Sequence, residues 1–447
     1  MRKKLWALHS WIGLYTGLFI GIVSITGALA VFKFEIDEML RPDLFFVTPK
    51  ELPKNINKGI NKVLDKYPEN NGYRINVPKS EDRTWKVTVF LDDPNSPAKI
   101  TQEVYLNPYT NTIIGERNMY RSFSFFIRNI HVRLFEGLYG RQWVGFFGIL
   151  LTISLIISIF LYFDFTKKQR FGQVRSKNNR VKYADLHKFI GLATIVIQLI
   201  IAITGTWLGF QPKLEKPMLG HRPGKFIPQE FPIDKTIDQT KTIDYLSVLQ
   251  ATKQNFPDMI PDMISPSKDG SNSVIVFGDI PNMPFERHTN FVVLDKDDYH
   301  LLKKFDIRES GIGGHLYYMQ EALHFGDFGG IVLKVVYCLM GLICGFLCIS
   351  GFFIYFKRTE KKRIKRYPLL TTSNIIWGFT ITSLLWFVSI GVSSVTLGAI
   401  YPTTYFTTPL FYGLIIVYFI YILIRRIKNK SKGTPSNKVK HQIKVTH

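Results

Sequence analysis

The stretch Leu8-His9-Ser10-Trp11-Ile12-Gly13-Leu14 opens a long apolar run, and it returns as Leu186-His187-Lys188-Phe189-Ile190-Gly191-Leu192 at the mouth of another. In both runs the dipeptide Thr-Gly begins 17 residues after the histidine, at Thr26-Gly27 and at Thr204-Gly205. Recurrence at a fixed spacing indicates an internal repeat. The fold is therefore expected to be built from two copies of one unit.

A second pair of histidines follows the same pattern. His131 and His324 each precede an apolar run that ends in Tyr-Phe, and the tyrosines, Tyr162 and Tyr355, both lie 31 residues after their histidine. The repeated unit is thus a helix, a polar module and a second helix. One histidine lies near the start of each helix of this unit.

Six apolar stretches approach the roughly 20 residues that a helix needs to cross a hydrocarbon core about 30 Å thick. They cover residues 11–32, 143–163, 189–210, 331–356, 375–400 and 409–424. The sequence therefore predicts a membrane α-helical bundle of six transmembrane helices with an internally duplicated four-helix core. The last two helices fall outside the duplication and contain no histidine.

The net charge of +23 is concentrated beside these stretches. Basic residues cluster at Arg2-Lys3-Lys4, at 164–183, at 357–368 and from Arg425 onward. Six crossings place all four clusters on one side, where the positive-inside rule expects the cytoplasm, so both termini are predicted to be cytoplasmic. Cations at these positions contact anionic lipid headgroups, and no nucleic-acid partner is expected.

Two polar segments, 34–120 and 211–314, each contain a helical stretch followed by alternating strand-like segments, which predicts two small α+β modules outside the membrane. The other predicted segments are helix 1 at 1–33, an approach with helix 2 at 121–163, a basic loop at 164–186, helix 3 at 187–210, an approach with helix 4 at 315–356, a basic loop at 357–372, helix 5 at 373–400, helix 6 at 409–425 and a basic tail at 426–447.

Helix 1 carries Gly13, Gly17 and Gly21 at steps of four after His9. Residues four apart share a helix face, so the glycines form a smooth groove that a flat ligand or another helix could occupy. Close helix packing of the small-xxx-small type is the plainer interpretation when the glycines are taken alone.

The four histidines pair by depth. Helices 1 and 3 start on the cytoplasmic side and helices 2 and 4 on the outer side, so His9 is expected near His187 and His131 near His324 around a pseudo-two-fold axis. Two imidazoles facing each other across a bundle are the axial ligands of a six-coordinate haem. Zinc would be under-coordinated by such a pair. A single interfacial histidine, by contrast, is most often only a satisfied polar side chain.

Haem propionates need cationic partners. Arg128, Arg133 and Arg141 are the candidates on the outer side, and Lys188 is the candidate on the inner side. His315, nine residues before His324, is a possible substitute ligand. No glycine-rich dinucleotide fingerprint follows a strand, so no flavin or NAD site is expected and electrons must come from a separate donor.

The histidine-bearing segments resemble those of PepSY-associated transmembrane proteins. The resemblance is carried by Leu8–Leu14, Asp185–Lys188, Ile130–Phe135 and Leu323–Gly330, and Val104–Arg117 is similar to the end of a PepSY module. It implies two PepSY-like periplasmic modules in a bacterial inner-membrane protein. It also implies a ferric-siderophore reductase with two b-type haems, in which His9, His187, His131 and His324 are the axial ligands.

The resemblance leaves the electron donor open between quinol and a cytoplasmic flavoprotein, because this chain lacks the fused flavin reductase domain of some relatives and adds helices 5 and 6. Two other functions stay open. A siderophore or metal permease predicts a polar path through the bilayer, and a regulatory or anchoring protein that uses its PepSY modules predicts that the histidines are dispensable.

Overall fold

The computed structural model describes residues 2–384 apart from 52–55, 94–95, 136, 167–168, 220–241, 268–271, 286, 379 and 382. Within this part of the chain, four helices are long and apolar enough to cross a membrane. They are α1 (Arg2–Ala30), α6 (Gly137–Thr166), α8 (Ile195–Leu219) and α11 (Gly330–Arg366). Helix α1 packs against α6 and α11, and α6 packs against α8.

Seven shorter α-helices with named bounds lie between and beside these four. They are α2 (Lys33–Leu40), α3 (Pro42–Phe45), α4 (Asn57–Lys66), α5 (Phe123–Arg133), α7 (Asn179–Ala193), α9 (Tyr245–Asn255) and α10 (Ile312–Phe325). Helix α5 starts at Ser122, whose side chain accepts a hydrogen bond from the backbone of Phe125, and it ends at Leu134 in the left-handed region. Helix α10 ends in the same way at Gly326. The left-handed residues thus end α5 and α10 shortly before α6 and α11 begin.

Eight antiparallel strands form one sheet in the order β4-β3-β2-β1-β5-β6-β7-β8. The strands are β1 (Tyr73–Asn76), β2 (Trp85–Asp93), β3 (Ser96–Asn107), β4 (Thr112–Asn118), β5 (Ile260–Pro266), β6 (Ser273–Asp279), β7 (Asn290–Asp295) and β8 (Leu301–Phe305). The halves join where β1 pairs with β5, with Ile75 opposite Ile264 and Asn76 opposite Met263. Strands from both repeats thus share one sheet.

A single hydrophobic core lies between this sheet and helices α4 and α9. Ile60 and Val63 of α4 and Val248 of α9 are fully buried against strand residues such as Val87 and Val276. Each fully buried side chain of this size stabilises the fold by about 1.5–3 kcal/mol. The core is shared by both halves, so neither half is a separate body.

The prediction of a six-helix bundle with two separate modules is wrong. The described residues contain four membrane-crossing helices and an eight-stranded sheet that unites the modules. The sheet is continuous because the pairing of β1 with β5 removes two exposed strand edges, which would otherwise present unpaired backbone groups. The predicted helix 5 lies mostly, and helix 6 and the tail entirely, outside the described residues.

A buried ionic network fixes the sheet to the end of α1. Arg117 on β4 donates two hydrogen bonds to Asp37 of α2, at 3.0 and 2.6 Å, and one to Glu103 of β3 at 2.8 Å. Lys86 donates to the same Glu103 at 2.7 Å. Burial opposes ionisation of Glu103, but the charges of Lys86 and Arg117 outweigh it and lower its pKa to about 2. These ion pairs therefore anchor the sheet to α2, the helix that follows α1. Each charged group named here has a partner of opposite charge.

Candidate functional site

The structure brings the four repeated histidines together in two pairs. The ring centroids of His9 and His187 lie 6.4 Å apart, and those of His131 and His324 lie 6.0 Å apart. We call the first the loop-side pair, because it lies at the end of the bundle that carries the basic loop, and the second the sheet-side pair. The pairing by depth that the repeat predicts is the arrangement in the structure.

Each pair is assembled by elements from both repeats. His9 of α1 meets His187 of α7, and His131 of α5 meets His324 of α10. Helix α7 continues into α8 with only Thr194 between them. Each pair therefore joins one histidine from each copy of the unit.

Every imidazole of the loop-side pair forms its hydrogen bond through Nδ1. His9 Nδ1 lies 2.8 Å from the hydroxyl of Ser154, and His187 Nδ1 lies 2.9 Å from the hydroxyl of Ser350. The Ser350 hydroxyl donates its own proton to Leu347 O, at 3.1 Å, so it accepts from His187. A protonated Nδ1 leaves the lone pair on Nε2, which is the usual arrangement of a metal-ligating histidine.

The sheet-side pair has the same tautomer from different partners. His131 Nδ1 lies 2.8 Å from the carbonyl oxygen of Val23, which can only accept. His324 Nδ1 lies 3.0 Å from the hydroxyl of Thr204, whose proton goes to Ile200 O at 2.7 Å. Both rings therefore carry their proton on Nδ1 and keep Nε2 for another bond.

The repeated Thr-Gly dipeptide lies at this pair. A Cβ atom on Gly27 would lie 2.7 Å from Cε1 of His131, and one on Gly205 would lie 3.0 Å from Cε1 of His324. Only glycine leaves room for the ring at such distances. Thr204 supplies the acceptor for His324, whereas the hydroxyl of Thr26 donates to Ile22 O. The sequence shows that Thr-Gly follows His9 and His187 at a fixed distance. It does not reveal that the two glycines lie against the rings of the other pair, His131 and His324.

The spacing of both pairs fits one metal ion between two imidazoles. Histidine nitrogens bind metals at about 2 Å, which places the centroids of two opposed rings roughly 6 Å apart. Among the described residues, one group of three or more histidine, cysteine, aspartate or glutamate side chains comes close enough to hold an ion: Asp295, Asp298 and His300. This group is exposed and belongs to neither pair. Two opposed imidazoles without further protein ligands suit a haem iron, whose equatorial nitrogens come from the macrocycle.

A cavity of about 150 Å³ lies beside the sheet-side pair. Its wall includes both histidines, the apolar side chains of Phe147 and Met340, and Gly27. It is smaller than the roughly 300–1,000 Å³ of most ligand pockets. A macrocycle would therefore have to displace side chains of this wall, and flexible residues such as Met340 can move at little cost.

Two of the three predicted outer cations line this cavity. Arg128 lies in its wall together with Glu321, and Arg141 lies there too and donates to Leu208 O and to Gln211. Arg133 is outside the described lining, and its buried Nε makes no hydrogen bond to a described residue. An anionic group in the cavity would meet Arg128 and Arg141.

The remaining predicted residues have partners of their own or lie open. Lys188 donates to Asp185 at 2.8 Å and to Gln169 at 3.0 Å, so it serves the folding of the basic loop. A Cβ on Gly17 would meet Phe352 of α11 at 3.1 Å, whereas Gly13 has no atom within 4 Å of that position. Gly17 thus fits helix packing, and Gly13 faces open space beside His9.

Sequence reasoning missed Lys33. Its ammonium group lies 5.0 Å from the ring centroid of Phe325, next to His324. Burial, together with the nearby charge of Arg287, lowers the pKa of Lys33 to about 8. The sequence does contain a signal for Lys33. It is a cation that directly follows an apolar run, on the side of the membrane where the positive-inside rule expects few cations. Lys33 is therefore a further cation on this side of the bundle, close to Arg128.

The resemblance that the histidine segments carry is confirmed. The family model described as PepSY-associated TM region matches residues 6–358. This stretch includes all four histidines, most of the four crossing helices and the whole sheet, and it ends at the start of the third basic cluster, 357–368. No curated protein matches the chain.

Proposed function

Since the chain belongs to the PepSY-associated TM region family, we propose that this membrane protein is a dihaem reductase that carries electrons across a bacterial inner membrane to Fe(III) chelates, such as ferric siderophores. The observation that supports it most is the pair of imidazoles at each end of one helical core, with every Nδ1 engaged by an acceptor. A haem bound at each pair would supply reversible one-electron chemistry.

The chain's own residues would hold and separate these groups. His9 and His187 would bind one b-type haem, and His131 and His324 the other. His9 lies 18 residues before Gly27, which contacts His131, and a rise of 1.5 Å per residue gives roughly 25 Å between the two levels. This separation is close to the roughly 30 Å of a hydrocarbon core, so the pairs would lie near opposite surfaces.

The orientation follows from charge. The loop-side end carries Arg2, Lys3 and Lys4 and the basic segments 164–183 and 357–368, which favours the cytoplasm on that side. The sheet and the sheet-side pair would then face the periplasm. Siderophore oxygen donors hold hard Fe(III) far better than Fe(II), so one electron delivered there would loosen the chelate. The donor on the cytoplasmic side would be quinol or a separate flavoprotein.

The test is the haem content of the purified protein. We expect about two haems per chain, a Soret band that shifts and sharpens with dithionite, and anaerobic formation of Fe(II) from a ferric trihydroxamate. His131→Ala should retain the loop-side haem, and His9→Ala the sheet-side haem. His300→Ala, which alters an exposed histidine outside both pairs, is the matched control and should retain both.

Colourless protein from cells supplied with haem would refute the proposal. So would full haem content in both His131→Ala and His9→Ala. Chelate reduction that survives the loss of either pair would also refute it, because the proposed electron path needs both pairs.

A further inference from the structure

A large cleft lies between the sheet and the sheet-side end of the helices. Its volume is about 770 Å³, and its lining includes Phe34, Phe45, Phe285 and Phe328 as well as His288. Asp327 and Phe328, which contribute to its wall, follow His324 by three and four residues. The cleft therefore opens next to the helix end that carries a predicted ligand.

His288 stands in this cleft in a backbone conformation that non-glycine residues rarely adopt, with φ of +58°. Its backbone N–H donates to Asp279 at 3.0 Å, and its Nδ1 lies 2.8 Å from a carboxylate oxygen of Asp262. Such a backbone costs on the order of 1–3 kcal/mol and persists where surrounding contacts enforce it, commonly at functional sites. Two carboxylates hold this strained residue in place.

Asp262 owes its position to an irregularity in β5. Pro261 pairs with Gly278 and Met263 with Phe277, so Asp262 is the extra residue of a β-bulge. Bulges often re-aim a side chain next to an active site. The Asp262 side chain is only 10% exposed, and its backbone carbonyl accepts from Val77. The bulge thus directs a buried carboxylate at the imidazole from the seam between the two halves of the sheet.

The other nitrogen of His288 is available to a ligand. The imidazole is 39% exposed, and among the described residues it forms its side-chain hydrogen bond through Nδ1 alone. The Asp262 carboxylate can only accept from Nδ1–H. Nε2 is then left for a group in the cleft that His288 lines, and an imidazolium donates from both of its ring nitrogens.

Charges from every neighbouring element face this group. Asp262 comes from β5 and Asp279 from the end of β6, and each accepts a hydrogen bond from His288. Lys79 forms an ion pair with Asp279, and Arg287 with Asp327. These two cations are therefore engaged with carboxylates.

From this geometry we infer that His288 is the acid that protonates an oxygen donor of the Fe(III) chelate during reduction, with Asp262 as its positioning residue. This rests on the proposed function. One electron from the reductase converts Fe(III) to Fe(II). The Nε2–H bond of the imidazolium breaks, an O–H bond forms on the ligand oxygen, and the bond from that oxygen to iron breaks. Solvent then returns a proton to the neutral imidazole.

The experiment uses the full-length, haem-loaded protein reduced with dithionite. Its reoxidation is followed at the Soret band between pH 5.5 and 8 with two acceptors, a ferric trihydroxamate and ferricyanide, which takes up no proton. We expect His288→Gln to slow the trihydroxamate reaction by on the order of 10²-fold at pH 6 and to flatten its pH profile. Its ferricyanide rate should equal that of the unaltered protein.

His300→Gln is the matched control, because His300 also bonds Asp298 through Nδ1, at 2.5 Å, but lies outside the cleft lining. It should keep both rates. Asp262→Asn should reproduce part of the His288→Gln defect. An unchanged trihydroxamate pH profile in His288→Gln would overturn the inference, as would an equal loss of both rates. Unaltered protein that reduces neither acceptor would refute the proposed function itself.

Discussion

The two histidine pairs come from one duplication, yet their surroundings differ. The imidazole planes are inclined by 76° in the loop-side pair and by 27° in the sheet-side pair. A Cβ atom on Gly27 or Gly205 would lie within 3.0 Å of a ring of the sheet-side pair, whereas one on Gly351 would lie at an ordinary 3.6 Å from Cε1 of His187. Each pair takes its acceptors from helices that do not carry its own ligands. The duplication therefore repeats the histidines but not the residues around them, so the two pairs differ in ring orientation and in the space beside the rings.

The largest expected effect is at Gly27. In Gly27→Ala the new methyl group would lie 2.7 Å from Cε1 of His131, a distance that forces the ring to move. We expect the purified variant to lose about one of two haems, from the sheet-side pair only. Gly21→Ala, on the same helix, is the matched control, because its methyl group would meet Cys348 at an ordinary 3.5 Å.

Two further alanine variants grade this effect. The new Cβ would lie 3.0 Å from the His324 ring in Gly205→Ala and 3.6 Å from the His187 ring in Gly351→Ala. Haem content measured as the pyridine haemochrome should therefore fall partly in the first and stay complete in the second. If Gly351→Ala lost haem while Gly27→Ala kept both, the assignment of the tight contacts to the sheet-side pair would be wrong.

The sequence alone identifies both pairs, because the repeat spacing survives in the printed residues. It also predicts a helical stretch within residues 211–314, where the structure has α9 (Tyr245–Asn255). The sequence does not reveal that β1 pairs with β5, because Ile75 and Ile264 are far apart in the chain and each strand has the pattern of an ordinary edge strand. Lys188 is a different case. The sequence predicts it as a propionate partner, and the structure shows its ammonium group in an ion pair with Asp185, one helical turn before it.

A smaller effect, on spectra rather than occupancy, follows from the ring planes. Nearly perpendicular axial imidazoles give a ferric low-spin haem with a strongly anisotropic electron paramagnetic resonance signal, and nearly parallel ones give a rhombic signal. We expect one signal of each kind from the oxidised protein. His9→Ala should remove the anisotropic signal and His131→Ala the rhombic one. Two identical signals would show that the pairs are equivalent, and the reverse assignment would contradict the ring-plane angles of the two pairs.

The smallest effect concerns the hydroxyl acceptors. Nδ1–H donation strengthens a histidine as a ligand and so favours Fe(III), which lowers the potential of the haem it binds. Ser350→Ala removes the acceptor of His187 at 2.9 Å, and Thr204→Val removes that of His324 at 3.0 Å. A hydrogen bond worth about 0.5–1.5 kcal/mol corresponds to roughly 20–60 mV for one electron, so each variant should raise one midpoint potential by that amount.

The two variants form a crossed experiment in a spectroelectrochemical titration. Ser350→Ala should move only the loop-side haem and Thr204→Val only the sheet-side haem, and Ser158→Ala, whose hydroxyl bonds Leu155 O, should move neither. His131 sharpens the comparison, because its acceptor is the backbone carbonyl of Val23, which no side-chain substitution removes. The backbone carbonyl oxygen of Ser154 likewise lies 3.2 Å from Nδ1 of His9. Each pair therefore keeps one carbonyl acceptor in every such variant, and the two midpoint potentials are expected to shift by similar amounts.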